Sequence, residues 1–177
     1  MPEQDIIIAT FKLHDEAKAA IEALRESEFD SGSMSIAGRN FHTVDAVVGY
    51  YTTDGVVRPC GDVAPFWSEL LTYFSDSALF WVPDLGLLVI AGELMTRVLQ
   101  AVEEHVIVYG LTAFGVALHT MGVPEHSILG CEEAIRQDHF VLIIEDRTSD
   151  VRRAQEILAA SEAESIEIHH LPAPATV

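Results

Sequence analysis

An α+β fold follows from two observations. A β-branched strand run, an amphipathic helix and a second strand occur in that order near the start of the chain, and the same three recur near its end. About a hundred residues separate the two units, and they hold the longest uncharged run of the sequence. Two βαβ halves of this size are the parts of a ferredoxin-like split-βαβ sandwich. Right-handed crossovers would place both helices on one face of a four-stranded sheet. The expectation is one domain over residues 1–177, with halves at about 5–37 and 139–169 and a large, mainly helical insertion at about 54–137.

In the first half, Asp5 to Phe11 is a strand whose Ile6, Ile7 and Ile8 are too continuous for one buried face. His14 and Asp15 open a helix, with Asp15 the better N-cap or first-turn acid. Ala17, Ala20, Ile21 and Leu24 repeat at helical spacing, while Glu16, Lys18, Glu22 and Arg25 face water. Asp30-Ser31-Gly32-Ser33 breaks the helix, and Met34 to Ala37 is the returning strand, ending at Gly38. In the second half, His139 to Glu145 is a buried-type strand, followed by the cap candidates Thr148, Ser149 and Asp150. Val151, Ala154, Ile157 and Leu158 form the helix stripe, and Ser165 to His169 alternates like a strand.

Within the intervening segment, Val47 to Tyr51 reads as an extra strand and Thr53-Asp54-Gly55 as a turn. Asp62 caps a helix that tolerates Pro65 in its first turn and carries Phe66, Trp67, Leu70, Leu71 and Phe74. Ser77 to Pro83 and Leu85 to Gly92 are uncharged. The spacing predicts one long helix from about Leu85 to His119, disturbed at Gly110 and Gly115. A short helix begins at Pro124, with Ile128, Leu129, Ala134 and Ile135 inward.

A membrane-spanning helix takes about 20 mostly apolar residues, whereas Val106 to Leu118 provides thirteen. Glu93, Arg97, Gln100 and Glu104 lie just upstream as a polar stripe, and a charge at mid-bilayer costs about 2.5–3.5 kcal/mol. A helical hairpin buried by protein is therefore expected, and membrane association is not favoured. Apolar helix surface in excess of what a four-stranded sheet covers points to a homo-oligomer built through the insertion.

Composition limits the partners. Ten Lys and Arg stand against 28 Asp and Glu, a formal charge of -18, so nucleic acid is excluded as a partner for lack of clustered cations. The same balance opposes docking on anionic lipid. Met-Pro-Glu-Gln-Asp has no basic segment before its short apolar run, so the expected compartment is the cytoplasm, with Cys60 and Cys131 as reduced, buried thiols.

Candidate chemistry is sparse, and neither enzymatic activity nor a cofactor is expected. His42 and Asp45 offer an acid–base or metal pair, with no third ligand at fixed spacing. Arg39, His42 and Tyr50 lie near Gly38 and Gly49 and could hold an anion or nucleotide, but form no phosphate-loop motif. Glu103, Glu104 and His105 point in different helical directions, unlike the Glu-x-x-His of di-iron bundles. His119, His126, Cys131 and His139 flank the short helix; imidazole and thiol suit zinc or copper, but the spacing matches no standard zinc pattern. His119, His126 and Cys131 are the metal candidates, with incidental clustering the simpler account. A small-ligand or metal-binding module is thus one alternative to the oligomeric reading, and a membrane-associated protein the other.

Gly38-Arg39-Asn40-Phe41-His42-Thr43, Val47 to Thr52, Phe66-Trp67, Phe80-Trp81-Val82-Pro83 and Gly122-Val123-Pro124 resemble segments of the bacterial general stress proteins, those with a heat-induced-stress (YflT-type) domain. The likeness spans about residues 5–170. It implies a stress-associated, non-enzymatic protein and supplies no catalytic residues. Related members include candidate membrane proteins with a glycine-rich segment after Phe-Trp. Here that segment reads Ser68-Glu69-Leu70-Leu71-Thr72-Tyr73, followed by Asp76, Asp84, Glu93 and Arg97. Small-residue helix packing of the membrane type is weakened by those residues, which favours a water-soluble assembly.

Overall fold

The computed structural model describes residues 3–39, 50–51, 57–58, 69–74, 77–82, 84–104 and 110–171. Its elements are β1 (Gln4–Phe11), α1 (His14–Glu26), β2 (Met34–Arg39), β3 (Tyr50–Tyr51), β4 (Val57–Arg58), β5 (Ser77–Val82), β6 (Gly86–Gly92), α2 (Glu93–Glu103), α3 (Ala113–Thr120), α4 (Glu125–Arg136), β7 (Phe140–Arg147), α5 (Thr148–Ala159) and β8 (Ser165–His170). The class is α+β. Six strands form one sheet in the order β5-β6-β2-β7-β1-β8, every neighbouring pair antiparallel, and β3 and β4 form a separate two-stranded ribbon.

Both faces of this sheet are covered. Ile7, Ala9 and Phe11 of β1, Met34 and Ile36 of β2, and Phe140, Leu142 and Ile144 of β7 point to one face. There they meet Ala17, Ala20, Ile21 and Leu24 of α1 and Val151, Ala154 and Leu158 of α5. The intervening residues Ile6, Ile8, Ala37, Val141 and Ile143 point to the other face. They meet Leu94 and Val98 of α2, Phe114, Ala117 and Leu118 of α3, and Ile128, Cys131 and Ile135 of α4. A side chain every second residue on each face explains why β1 and β7 read as unbroken apolar runs. The helices of the two βαβ units do share one face, as expected.

Several expectations about the intervening segment need correction. The long helix from Leu85 to His119 is instead the hairpin strand β6, then α2, then α3. Residues 105–109 lie outside the described residues, as do 59–68 and the helix start expected at Asp62. The insertion is thus less helical than expected, because Ser77–Val82 and Gly86–Gly92 extend the sheet by two strands. The break between β6 and α2 falls at Gly92, whose φ is 97°, and a Cβ there would collide with the Met34 carbonyl oxygen and Ser35. Only glycine fits. Ser35 Oγ then accepts from Leu94 N at 3.1 Å, so the neighbouring strand caps the helix.

Leu13 is the N-cap residue of α1, its N–H donating to Glu16 Oε2 at 3.3 Å, and Asp15 takes the second of its two expected places, as a first-turn acid. Thr148, Ser149 and Asp150 lie in the first turn of α5, after the N-cap residue Arg147. Leu129 of α4, expected inward, is 45 % exposed, because the buried stripe runs through Ser127, Ile128, Cys131, Glu132, Ala134 and Ile135. Among the described residues no helix is long and apolar enough to cross a membrane.

Candidate functional site

Beside the candidates Cys131 and His139 lies a cleft of about 330 Å³ between α4 and the edge of the sheet at β8. Ile8 and Thr10 of β1 stand opposite Glu167 and Ser165 of β8, so all four share the second face. Helical spacing brings Ser127, Cys131 and Ala134 of α4 over them. Gly130 adds no side chain and leaves open space at the mouth. Thr10 Oγ1 and Ser165 Oγ share a hydrogen bond of 2.6 Å, and His139 Nδ1 lies 3.0 Å from Glu164 Oε2. The lining carries Glu133, Glu164 and Glu167 and no lysine or arginine. Such a lining suits a small molecule that is cationic or rich in hydroxyls.

Cys131 and His139 therefore line one cleft. Cys131 is 3 % exposed, and burial, followed by the carboxylates of Glu167 and Glu132, pushes its thiol up to about 12. A thiol so protonated is a poor ligand and a poor nucleophile at neutral pH. His126 is exposed at the start of α4, its ring 6.4 Å edge-on from that of His169. His119 is exposed in the last turn of α3. Among the described residues no group of three or more His, Cys, Asp or Glu side chains is arranged to hold a metal ion.

Arg39 is committed elsewhere. Its Nε donates to the Leu85 carbonyl at 2.8 Å and its guanidinium reaches Asp138 at 3.5 Å, clipping the turn before β6 to the turn before β7. Tyr50 opens β3, opposite Arg58 in register. His42, Asp45 and His105 lie outside the described residues.

Two polar features depend on contacts that no local pattern marks. Glu132, fully buried in α4, accepts from Thr112 N at 2.9 Å through Oε2, at the N-terminus of α3. A carboxylate is favoured there by the unpaired N–H groups and by the helix dipole. The second is a cavity of about 240 Å³ where α2 begins, lined by Gln4, Ser33, Ser35, Glu93, Arg97 and Glu145. Arg97 lies 3.6 Å from Glu145 of β7. Burial raises the Glu145 carboxyl above its ordinary range, Arg97 opposes the rise and Glu93 adds to it. The polar stripe of α2 is thus divided: Arg97 turns to the sheet, while Gln100 Nε2 donates to Glu104 Oε1 at 3.1 Å in the exposed part.

Compared with known proteins, the chain matches no family model, and no curated protein and no solved structure matches it.

Proposed function

We propose that this protein acts by self-assembly and not by catalysis, in a stress-response setting and in the cytoplasm. Its base is a ferredoxin-like split βαβ sandwich, the strands β2-β7-β1-β8 with α1 and α5, and the insertion between the halves supplies the assembly surface. The stress setting rests on the sequence resemblance alone. The observation that carries the assembly reading is on α2: Leu99 and Val102 are 42 % and 46 % exposed and, three residues apart, occupy one face of the helix. Much of the apolar middle is covered within the chain by α2, α3, α4 and the sheet, so this surface is narrower than the sequence suggested. Light scattering on the full chain tests it: the native particle exceeds one chain mass, and Leu99→Glu with Val102→Glu reduces it while the thermal melt is kept. A particle unaffected by the pair of substitutions removes α2 as the contact.

The cleft between α4 and β8 supports a second reading, a module for a small cationic or hydroxyl-rich ligand. Thermal shift against aliphatic amines and polyols tests it, with Glu167→Gln as the control; no shift with any of them ends it.

A further inference from the structure

Among the described residues β8 is an edge strand: in the sheet order it has β1 on one side and no strand on the other. Natural edges are blunted by short strands, by charged side chains, lysine above all, and by proline, a bulge or a covering element; here the one carboxylate is Glu167. β8 reads Ser165-Ile166-Glu167-Ile168-His169-His170, with neither lysine nor proline, and its six residues are all exposed or half-buried. Ile168 is 36 % exposed.

The register to β1 determines which backbone groups face outward. Leu171 N donates to Gln4 O at 3.0 Å, so residues 165, 167, 169 and 171 direct their N–H and C=O groups toward β1. The groups of Ile166, Ile168 and His170 point outward and meet no strand among the described residues. An added antiparallel strand must present its own outward groups to these residues.

We infer that β8 pairs with β8 of a second copy, antiparallel about a twofold axis through Ile168. In this register Ile168 meets Ile168, Ile166 meets His170, and the outward groups coincide in about six hydrogen bonds. On the opposite face Glu167 Oε2 already lies 3.4 Å from His169 Nε2 of its own copy, and in this register each Glu167 also stands across from His169 of the other copy, so carboxylate and imidazole alternate along and across the seam. Centring the axis on Glu167 instead would set carboxylate against carboxylate, and centring it on His169 would set imidazole against imidazole. A centre between two residues would place outward groups opposite inward ones. The Ile168 register alone satisfies both the hydrogen-bond parity and the charge pattern, and it joins two six-stranded sheets into one. This interface shares with the proposed function only that copies of the chain meet; it lies on β8, not on α2.

Native mass spectrometry and sedimentation of the full chain test the pairing. Ile168→Pro removes one outward N–H and no bond to β1, a substitution edge strands tolerate; the dimer is lost while the circular dichroism is retained. Glu167→Lys weakens the dimer roughly tenfold, and Glu167→Lys with His169→Glu restores it. Should Ile168→Pro unfold, Ile168→Cys in a Cys60→Ser background decides: the two Cα atoms approach to about 5.5 Å, and oxidation links two chains. A one-chain particle at micromolar concentration, a one-chain particle with a co-purified peptide, or a dimer in which the Ile168→Cys variant forms no cross-link overturns the inference. Dissociation by the α2 substitutions with Ile168→Pro still dimeric upholds the assembly proposal and rejects this one.

Discussion

The two helix layers bury the same sheet by different means. On the first face, α1 and α5 are one-sided: a narrow apolar stripe is buried and charged residues cover the rest. On the second face, α3 has scarcely a polar side. Phe114, Gly115, Val116, Ala117 and Leu118 are all buried, held between the sheet and its neighbours α2 and α4. That layer also contains the buried polar groups Ser127 and Glu132, and Ser35 reaches from β2 to cap α2. Both helix starts draw on groups from other elements: Glu132 of α4 accepts from Thr112 N at the start of α3, beside the local cap Thr112 Oγ1, and Ser35 of β2 accepts from Leu94 N of α2. The first layer could be specified by local pattern. The second depends on groups brought from elsewhere in the chain.

The largest test of this contrast is in the core. Phe114→Ala removes a fully buried ring from the second layer and is expected to cost about 3–5 kcal/mol, against about 2–5 kcal/mol for Leu24→Ala in the first. Chemical denaturation checks both; two separate transitions in either variant would show that the layers are independent, whereas one transition ties them to the common sheet. Next is the hinge between sheet and second layer. Gly92→Ala combines a left-handed backbone with a collision against β2, and a loss of about 2–4 kcal/mol is expected. An unchanged melt would mean that the strand-to-helix break has another cause.

The smallest effect concerns Glu145. Its carboxyl is raised in the folded chain, so the folded state holds a proton that the unfolded state releases at lower pH. Stability from this group therefore falls as pH rises from the ordinary glutamate range through the raised value. Glu145→Gln flattens that slope, and the change is small because the side chain is partly solvated. Urea melts across mildly acidic pH read the difference, and a steeper slope in the variant would reverse the sign assigned to burial.

Legibility divided along the same line. Ala17, Ala20, Ile21 and Leu24 marked α1 because their helix has one buried side, and period 3.6 survives in the sequence. Leu85 to Gly92 did not mark β6, since a strand covered on both faces loses its alternation and reads like a buried helix. The asymmetry extends to the cleft. Cys131 and His139 could be singled out by residue type, yet Glu164, Glu167 and Ser165 join them only through the pairing of β8 with β1. Arg97 and Glu145 are 48 residues apart and meet where α2 crosses the end of β7.

By itself the sequence determined the α+β class, the two strand–helix–strand units and an acidic exterior around an apolar middle, since each is written in local periodicity or in charge. Tertiary structure decided that β5 and β6 extend the sheet, that α2, α3 and α4 cover its second face, and that β8 lies at an edge among the described residues. Those outcomes depend on which strands lie side by side, and strand order is set by contacts between residues far apart in the chain, which no local pattern records.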